Sequence, residues 1–227
     1  MGWSLAAPGT AVEEPARLLQ VASSWGVVVP VKRLELAKSR LASYGDANRR
    51  SLALAFAADV VVAALQVATV LVVTDDPVAA HTLADLGALV VPDDPDAGLN
   101  PALAHGADLL REHHPLLGVA TLSADLPALR AEDLAAVLQS VPHGMRGFVT
   151  DTTGTGTTLL AAAAGAELLP AFGLHSRAAH LASGASELVA ADGLRRDVDT
   201  PDDLAAAAAL GLGRHSLDAS RGLWVSR

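Results

Sequence analysis

The chain contains two lysines, Lys32 and Lys38, and both fall in the segment VPVKRLELAKSRL, Val29 to Leu41. Residues 31–50 hold Lys32, Arg33, Lys38, Arg40, Arg49 and Arg50, six of the sixteen basic residues in a chain of net charge −9. Such clustering in an acidic chain is either a solvated face or a site for a polyanion. Lysine supplies a point charge and arginine a planar fork, the two devices that hold phosphate groups. For Lys32, Lys38 and Arg40 the reading is a polyphosphate cradle. For Arg49 and Arg50, on the helix that follows, it is a solvated face.

Two acidic segments complement the basic one. In Ser123-Ala124-Asp125-Leu126-Pro127, Asp125 follows an apolar run. It either caps a turn or holds a hard divalent cation that bridges substrate phosphates. In the segment Arg195 to Leu204, Thr200 and Asp203 form a capping box with Pro201 at the first helical position. Asp197 and Asp199 precede the cap and are left to supply a second metal carboxylate. Gly98-Leu99-Asn100 opens a helix, with Asn100 either a plain N-cap or a hydrogen-bonding partner for a base. GTGTT, Gly154 to Thr158, has neither the lysine of a P-loop nor the spacing and helix of a dinucleotide fingerprint. The eight histidines are scattered without metal-ligand spacing, and no Ser/His/Asp set stands out.

These residues need elements to carry them. Short Val-rich runs alternate with Ala/Leu-rich ones: strands over Gly26 to Pro30, Ala68 to Thr74, Ala88 to Val91 and Gly118 to Ser123. Helices are expected over Asp46 to Gln66 with Asp46 as N-cap, Val78 to Leu86, Asn100 to Glu112 and Ala131 to Gln139. Apolar strands each followed by a helix predict a parallel sheet covered on both faces. Right-handed crossovers then gather the loops after the strands at one edge, where ligands bind. After Gly147 the pattern changes, and Phe148 to Asp151 with Thr157 to Ala163 read as an antiparallel hairpin. Helices at Ser176 to Ser183 and Pro201 to Leu210 complete one domain over residues 25–210. Residues 1–24 and 211–227 are expected to be peripheral.

At 227 residues, 51% hydrophobic and 18% charged, the chain has ample material for a core. Aromatics at 3% and the net negative charge disfavour a nucleic-acid partner. The absence of cysteine excludes disulfides, thiolate zinc sites and a cysteine nucleophile. The longest apolar stretch, Ser51 to Leu65, is interrupted by Asp59 and reads as a buried helix rather than a membrane span. With no signal-peptide pattern at the start, a cytoplasmic protein with no membrane partner is expected.

VPVKRLELAKSRL, TDD, GLN, SADLPAL, GTGTTLL, FGLHS and DVDTPDDL, spread from Val27 to Leu210, together resemble the guanylyltransferases of coenzyme F-420 biosynthesis. That family joins GMP from GTP to 2-phospho-L-lactate or phosphoenolpyruvate and releases pyrophosphate. The resemblance implies a single-domain, Rossmann-like nucleotidyltransferase fold of glycosyltransferase-A type. It also implies GTP and a small phosphorylated carboxylic acid as partners, Mg2+ as cofactor, and a downstream transferase of the pathway. By motif, Lys32, Lys38 and Arg40 hold the GTP phosphates, and Asp75 and Asn100 contact the nucleotide. Asp125 with Asp199 (or Asp197) holds magnesium, and Thr158, Gly173 and Ser176 bind the acceptor. The Ala, Leu and Arg bias suggests a GC-rich genome, and relatives of that kind are associated with phosphoenolpyruvate. The runners-up are another nucleotidyltransferase of this fold, acting on molybdopterin or a sugar phosphate, and a catalytically silent nucleotide-binding protein.

Overall fold

The computed structural model describes residues 24–94 and 96–223. Seven strands form one sheet in the order β3-β2-β1-β4-β6-β5-β7. They are β1 (Trp25–Pro30), β2 (Thr69–Val73), β3 (Leu89–Val91), β4 (Gly118–Leu122), β5 (Arg146–Thr150), β6 (Thr157–Ala162) and β7 (Ser186–Glu187). Pairing is parallel between β1 and β2, β1 and β4, and β2 and β3. β6 runs against both of its neighbours, and β7 lies parallel to β5. The mostly parallel sheet with a late antiparallel hairpin is therefore as expected.

The helices are α1 (Asp46–Leu65), α2 (Pro77–Asp85), α3 (Leu99–His113), α4 (Ala131–Ser140), α5 (Ser176–Ala182), α6 (Asp192–Arg195), α7 (Pro201–Leu210) and α8 (Arg214–Ser220). Alternate side chains of each strand face opposite layers. Val27 and Val29 pack with Val60, Val61 and Ala64 of α1, Leu83 of α2 and Leu134 of α4. Val28 packs on the other face with Leu103, Ala107 and Leu110 of α3. A third cluster, on the far side of α1, joins Leu41, Leu52 and Phe56 to Val198, Leu204 and Ala207. α1 is thus apolar nearly all round because it is covered on two sides. No helix among the described residues is long and apolar enough to cross a membrane.

Three local expectations are corrected. The N-cap of α1 is Gly45, with Asp46 in the first turn, where its charge suits the helix dipole. The N-cap of α3 is Gly98, not Asn100. Residues beyond Leu210 do not trail away: α8 docks on α1, where the buried carboxylate of Asp59 accepts the N–H groups of His215 (3.0 Å) and Ser216 (2.8 Å). The expectations for residues 1–23 and 224–227 lie outside the described residues. The capping box of α7 forms as expected, with Asp203 N–H donating to Thr200 Oγ1 at 3.2 Å and Thr200 N–H to Asp203 Oδ2 at 2.9 Å.

Candidate active site

The basic segment leaves β1 at Pro30 and would be a string of unpaired main-chain groups without outside partners. Asp76 supplies one, since its Oδ2 accepts Leu34 N–H at 2.8 Å while its Oδ1 caps α2 through Val78 and Ala79. Burial alone would raise the Asp76 pKa, but these N–H groups and the Arg33 charge hold it below the usual carboxylate range. Arg49 supplies the others: its guanidinium donates to the carbonyls of Leu34 (3.3 Å), Glu35 (3.0 Å) and Ala37. Arg49 is accordingly buried and not part of a solvated face, whereas Arg50 is exposed. So braced, the chain turns at Lys38 through a left-handed conformation, φ 53 and ψ 44, that non-glycine residues seldom adopt. A 3-10 helix, Ser39–Tyr44, follows and buries Leu41 in the third cluster.

The acidic segments meet opposite this turn. Val198 N–H donates to the Asp125 carbonyl at 3.0 Å, which sets Asp197 and Asp199 beside Asp125. Thr158 helps fix that segment by donating its hydroxyl to the Leu194 carbonyl at 2.7 Å. Arg195 fixes it from the other side through the carbonyls of Thr150 (3.2 Å) and Asp151 (3.0 Å). A Cβ at Gly193 would run into the Ala128 carbonyl, so only glycine lets the two segments approach this closely.

Lys38 Nζ lies between the two acidic segments. It bonds to Asp125 Oδ2 and, at 2.8 Å, to Asp199 Oδ1. Arg40 Nη1 stands 3.9 Å from the other oxygen of Asp199. Burial would depress the Lys38 pKa, but the two carboxylate charges outweigh it and raise the pKa above its ordinary value. Asp197 is pushed up to about 6, first by burial and then by the negative charges of Asp125, Asp199 and Asp151. The arrangement is a partly buried anionic centre with an ammonium held within it.

A cleft of about 380 Å³ opens over this centre, lined among others by Lys32, Lys38, Arg40, Ser123, Asp125 and Asp199. A smaller cavity of about 170 Å³ adjoins it and shares Lys32 and Leu99. Asp75 lines this second cavity and accepts Asp93 N–H at 3.1 Å. Five of the expected residues therefore converge on one cleft, with a sixth next door.

Thr158, Gly173 and Ser176 do not line that cleft. Thr158 is buried in β6 with its hydroxyl committed to Leu194. Gly173, at φ 132, lies in the loop before α5, and Ser176, also buried, begins that helix. Asn100 lies in the first turn of α3 with both ends of its amide bonded to Phe172. Phe172 N–H donates to Oδ1 at 2.7 Å, and Nδ2 donates to the Phe172 carbonyl at 3.0 Å. The GTGTT turn is organised not as a phosphate loop but around Asp151. That carboxylate accepts Thr155 N–H at 3.0 Å and the Thr153 hydroxyl at 2.9 Å.

Arg49 and His180 have roles that the sequence reading did not assign. Their signal was periodicity: Arg49, Leu52 and Phe56 are buried on one stripe of α1, and Ser176 and His180 stand four apart on α5. His180 Nε2 accepts Ala171 N–H at 3.1 Å, so the ring proton resides on Nδ1, 2.9 Å from Thr157 Oγ1. Burial, helped by the Arg146 charge, lowers the His180 pKa to about 4. Unfolding frees this ring to protonate near pH 6.5. As pH falls from about 6.5 to 4 the folded state should therefore lose on the order of 3 kcal/mol from this group alone. Urea unfolding at several pH values, compared with His180→Gln, measures it. An unchanged acid slope in the variant would refute the assignment.

Comparison with known proteins agrees with this picture. The family model described as guanylyl transferase CofC like matches residues 25–223. The phosphoenolpyruvate guanylyltransferase of Thermomonospora curvata is 55% identical over 195 residues, 84% of this chain and 86% of that protein. The enzyme of the same name from Streptomyces coelicolor is 56% identical over 195 residues, 83% of this chain and 92% of that one. Among solved structures, a nucleotidyl transferase from Methanothermobacter superposes with a TM-score of 0.56 at 15% identity, covering 82% of this chain and 97% of that one. A 4-diphosphocytidyl-2C-methyl-D-erythritol synthase gives a TM-score of 0.56 at 14% identity, covering 82% and 98%. These structures share the nucleotidyltransferase fold. With the family model spanning the described domain and such relatives along most of its length, the chain belongs to the CofC-like guanylyl transferase family.

Proposed function

We propose that this protein transfers GMP from GTP to phosphoenolpyruvate, giving enolpyruvyl-diphospho-5'-guanosine and pyrophosphate, as a step in coenzyme F-420 biosynthesis. The observation that carries this reading is the convergence of both lysines, Arg40, Asp125 and Asp199 on one cleft at the carboxyl ends of β1 and β4. The relatives named above support the acceptor. The acceptor's phosphate has a second pKa near ~6 and is mostly ionised at pH 7, so it needs no general base. One of its oxygens forms the new bond to the α-phosphorus of GTP as the α–β bridging bond breaks, and the electron pair leaves with pyrophosphate. Lys32, Lys38 and Arg40 supply positive charge along the triphosphate.

Asp125 and Asp199 would hold a magnesium ion, since their carboxylates converge on one point, which the Lys38 ammonium fills here and would vacate for the triphosphate. Two carboxylates completed by substrate phosphates form the kind of oxygen set that magnesium takes. Among the described residues no group of three or more His, Cys, Asp or Glu side chains has the geometry of a ready-made metal cage, and such a two-carboxylate site requires none. When bound, the ion neutralises phosphate charge. By motif, Thr158, Gly173 and Ser176 are read as the acceptor side: the chain turns at Gly173 with φ 132, and Ser176 opens a helix.

Incubation with GTP and magnesium at equal concentrations of phosphoenolpyruvate and 2-phospho-L-lactate tests the reading. Both acids offer the same phosphate and carboxylate, and one planar against tetrahedral carbon is worth only about 1–3 kcal/mol. The expected outcome is mainly the enolpyruvyl conjugate with a detectable lactyl product. Predominance of the lactyl conjugate would reverse the acceptor, and no pyrophosphate with either acid would reject the activity.

A further inference from the structure

We infer that Asn100 and His180 are positioning residues that set the affinity for the acceptor acid by clamping the main chain just before Gly173. Three main-chain polar groups of two consecutive residues, Ala171 and Phe172, are gripped by side chains from two different helices. Ala171 N–H goes to His180 Nε2 at 3.1 Å, and the Phe172 N–H and carbonyl pair with the Asn100 amide at 2.7 and 3.0 Å. The Phe172 ring adds an edge-on contact to His180, with centroids 5.2 Å apart. Immediately after the clamp the chain turns at Gly173, whose carbonyl accepts Ser176 N–H at 3.1 Å. Arg177 N–H then ties α5 to the Thr155 carbonyl at 3.2 Å.

His180 is fully buried, and its two ring nitrogens are taken by Ala171 and Thr157, so it acts only through what it holds. Asn100 bonds Phe172 through both its amide nitrogen and its amide oxygen and lines neither the cleft nor the second cavity, whereas its neighbour Leu99 lines both. The loop carrying Gly173 and Ser176 is therefore fastened to the helix end that borders the nucleotide side. Satisfying loop amides is a structural task in itself. A purely structural role, however, predicts losses shared by both substrates, whereas positioning of the acceptor loop predicts a loss confined to one. The inference rests on the reading of Gly173 and Ser176 as the acceptor side.

Asn100→Ala removes two hydrogen bonds to the loop and should raise KM for phosphoenolpyruvate roughly tenfold. KM for GTP and its binding affinity by calorimetry should stay within about twofold. Asn100→Asp keeps an acceptor for Phe172 N–H and sets a second carboxylate oxygen against the Phe172 carbonyl. It should show the same split and serves if the alanine variant does not fold. A rise in the GTP KM, or a fall in kcat with both KM values unchanged, would overturn the inference and favour a nucleotide contact or a scaffold role. Wild-type protein assayed alongside separates the two readings. If it makes no guanosine diphosphate conjugate, the proposed function fails; if it does and the variants lack the split, only the positioning role fails.

Discussion

Lys38→Ala should lower kcat/KM by roughly a hundred- to a thousandfold while leaving the unfolding transition close to that of the wild type. That magnitude is the usual consequence of removing one preorganised charge from a transition state that develops negative charge. The fold invests heavily in this residue. Asp76 and Arg49 brace the segment before it, its backbone is left-handed, and its ammonium lies between Asp125 and Asp199. The Asp76 and Arg49 braces do not depend on the Lys38 side chain, so the loop should survive the truncation even though the ion pairs to Asp125 and Asp199 are lost. Lys38→Arg should recover little, because a planar fork on a longer stem does not reproduce the compact point charge of an ammonium. Pyrophosphate release with GTP, magnesium and phosphoenolpyruvate measures both variants, and near-normal turnover in Lys38→Ala would return the residue to an exposed-charge role.

Asp125→Asn should abolish magnesium-supported turnover. Wild-type activity should disappear in chelator and return when magnesium is restored, whereas the variant should stay inactive, with an effect of several kcal/mol on the transition state. The substitution is nearly isosteric, and the bond from Val198 N–H goes to the Asp125 main chain, so the junction of the acidic segments should persist. Asp199→Asn should be the more damaging of the two changes in the other acidic segment. Asp199 shares Lys38 with Asp125, while Asp197 is half-buried and its carboxyl is pushed up to about 6. Full turnover in chelator would remove both carboxylates from the metal role, and an Asp197→Asn variant worse than Asp199→Asn would exchange the two.

Much of this architecture could be read in the linear chain because its signals are local. Val-rich runs announce buried parallel strands, TTGTG separates two runs that can only return on each other, and Thr200-Pro201 with Asp203 contains the start of α7 within four residues. The convergence of Lys38 and Asp125 was legible for a related reason, since each follows a strand whose end must lie on the binding edge, whereas Asp199 was reached from its place just ahead of the capping box. What escaped depends on distant partners. Arg49 looks solvated until the carbonyls of residues 34–37 fold back over it. Asn100 looks free until Phe172 arrives, 72 residues later. The caps at Gly45 and Gly98 were hidden because glycines at φ 83 and 99 took the place that a polar side chain next door appeared to claim. α8 has no apolar run of its own, so its existence follows from docking on α1.

The bond between α8 and Asp59 also bears on when the protein can finish folding. Chains emerge from the ribosome amino end first. The groups that satisfy the buried carboxylate of α1 are the amides of residues 215 and 216, made 156 and 157 residues after Asp59. The same delay applies to Lys38, whose partner Asp199 arrives 161 residues later. Until residues 199–216 emerge, the nascent domain holds an unanswered negative charge in α1 and, in its basic turn, an ammonium with only Asp125 to answer it. The helix and the active centre are thus both closed by residues 199–216, and a chain cut short before them lacks the groups that complete both.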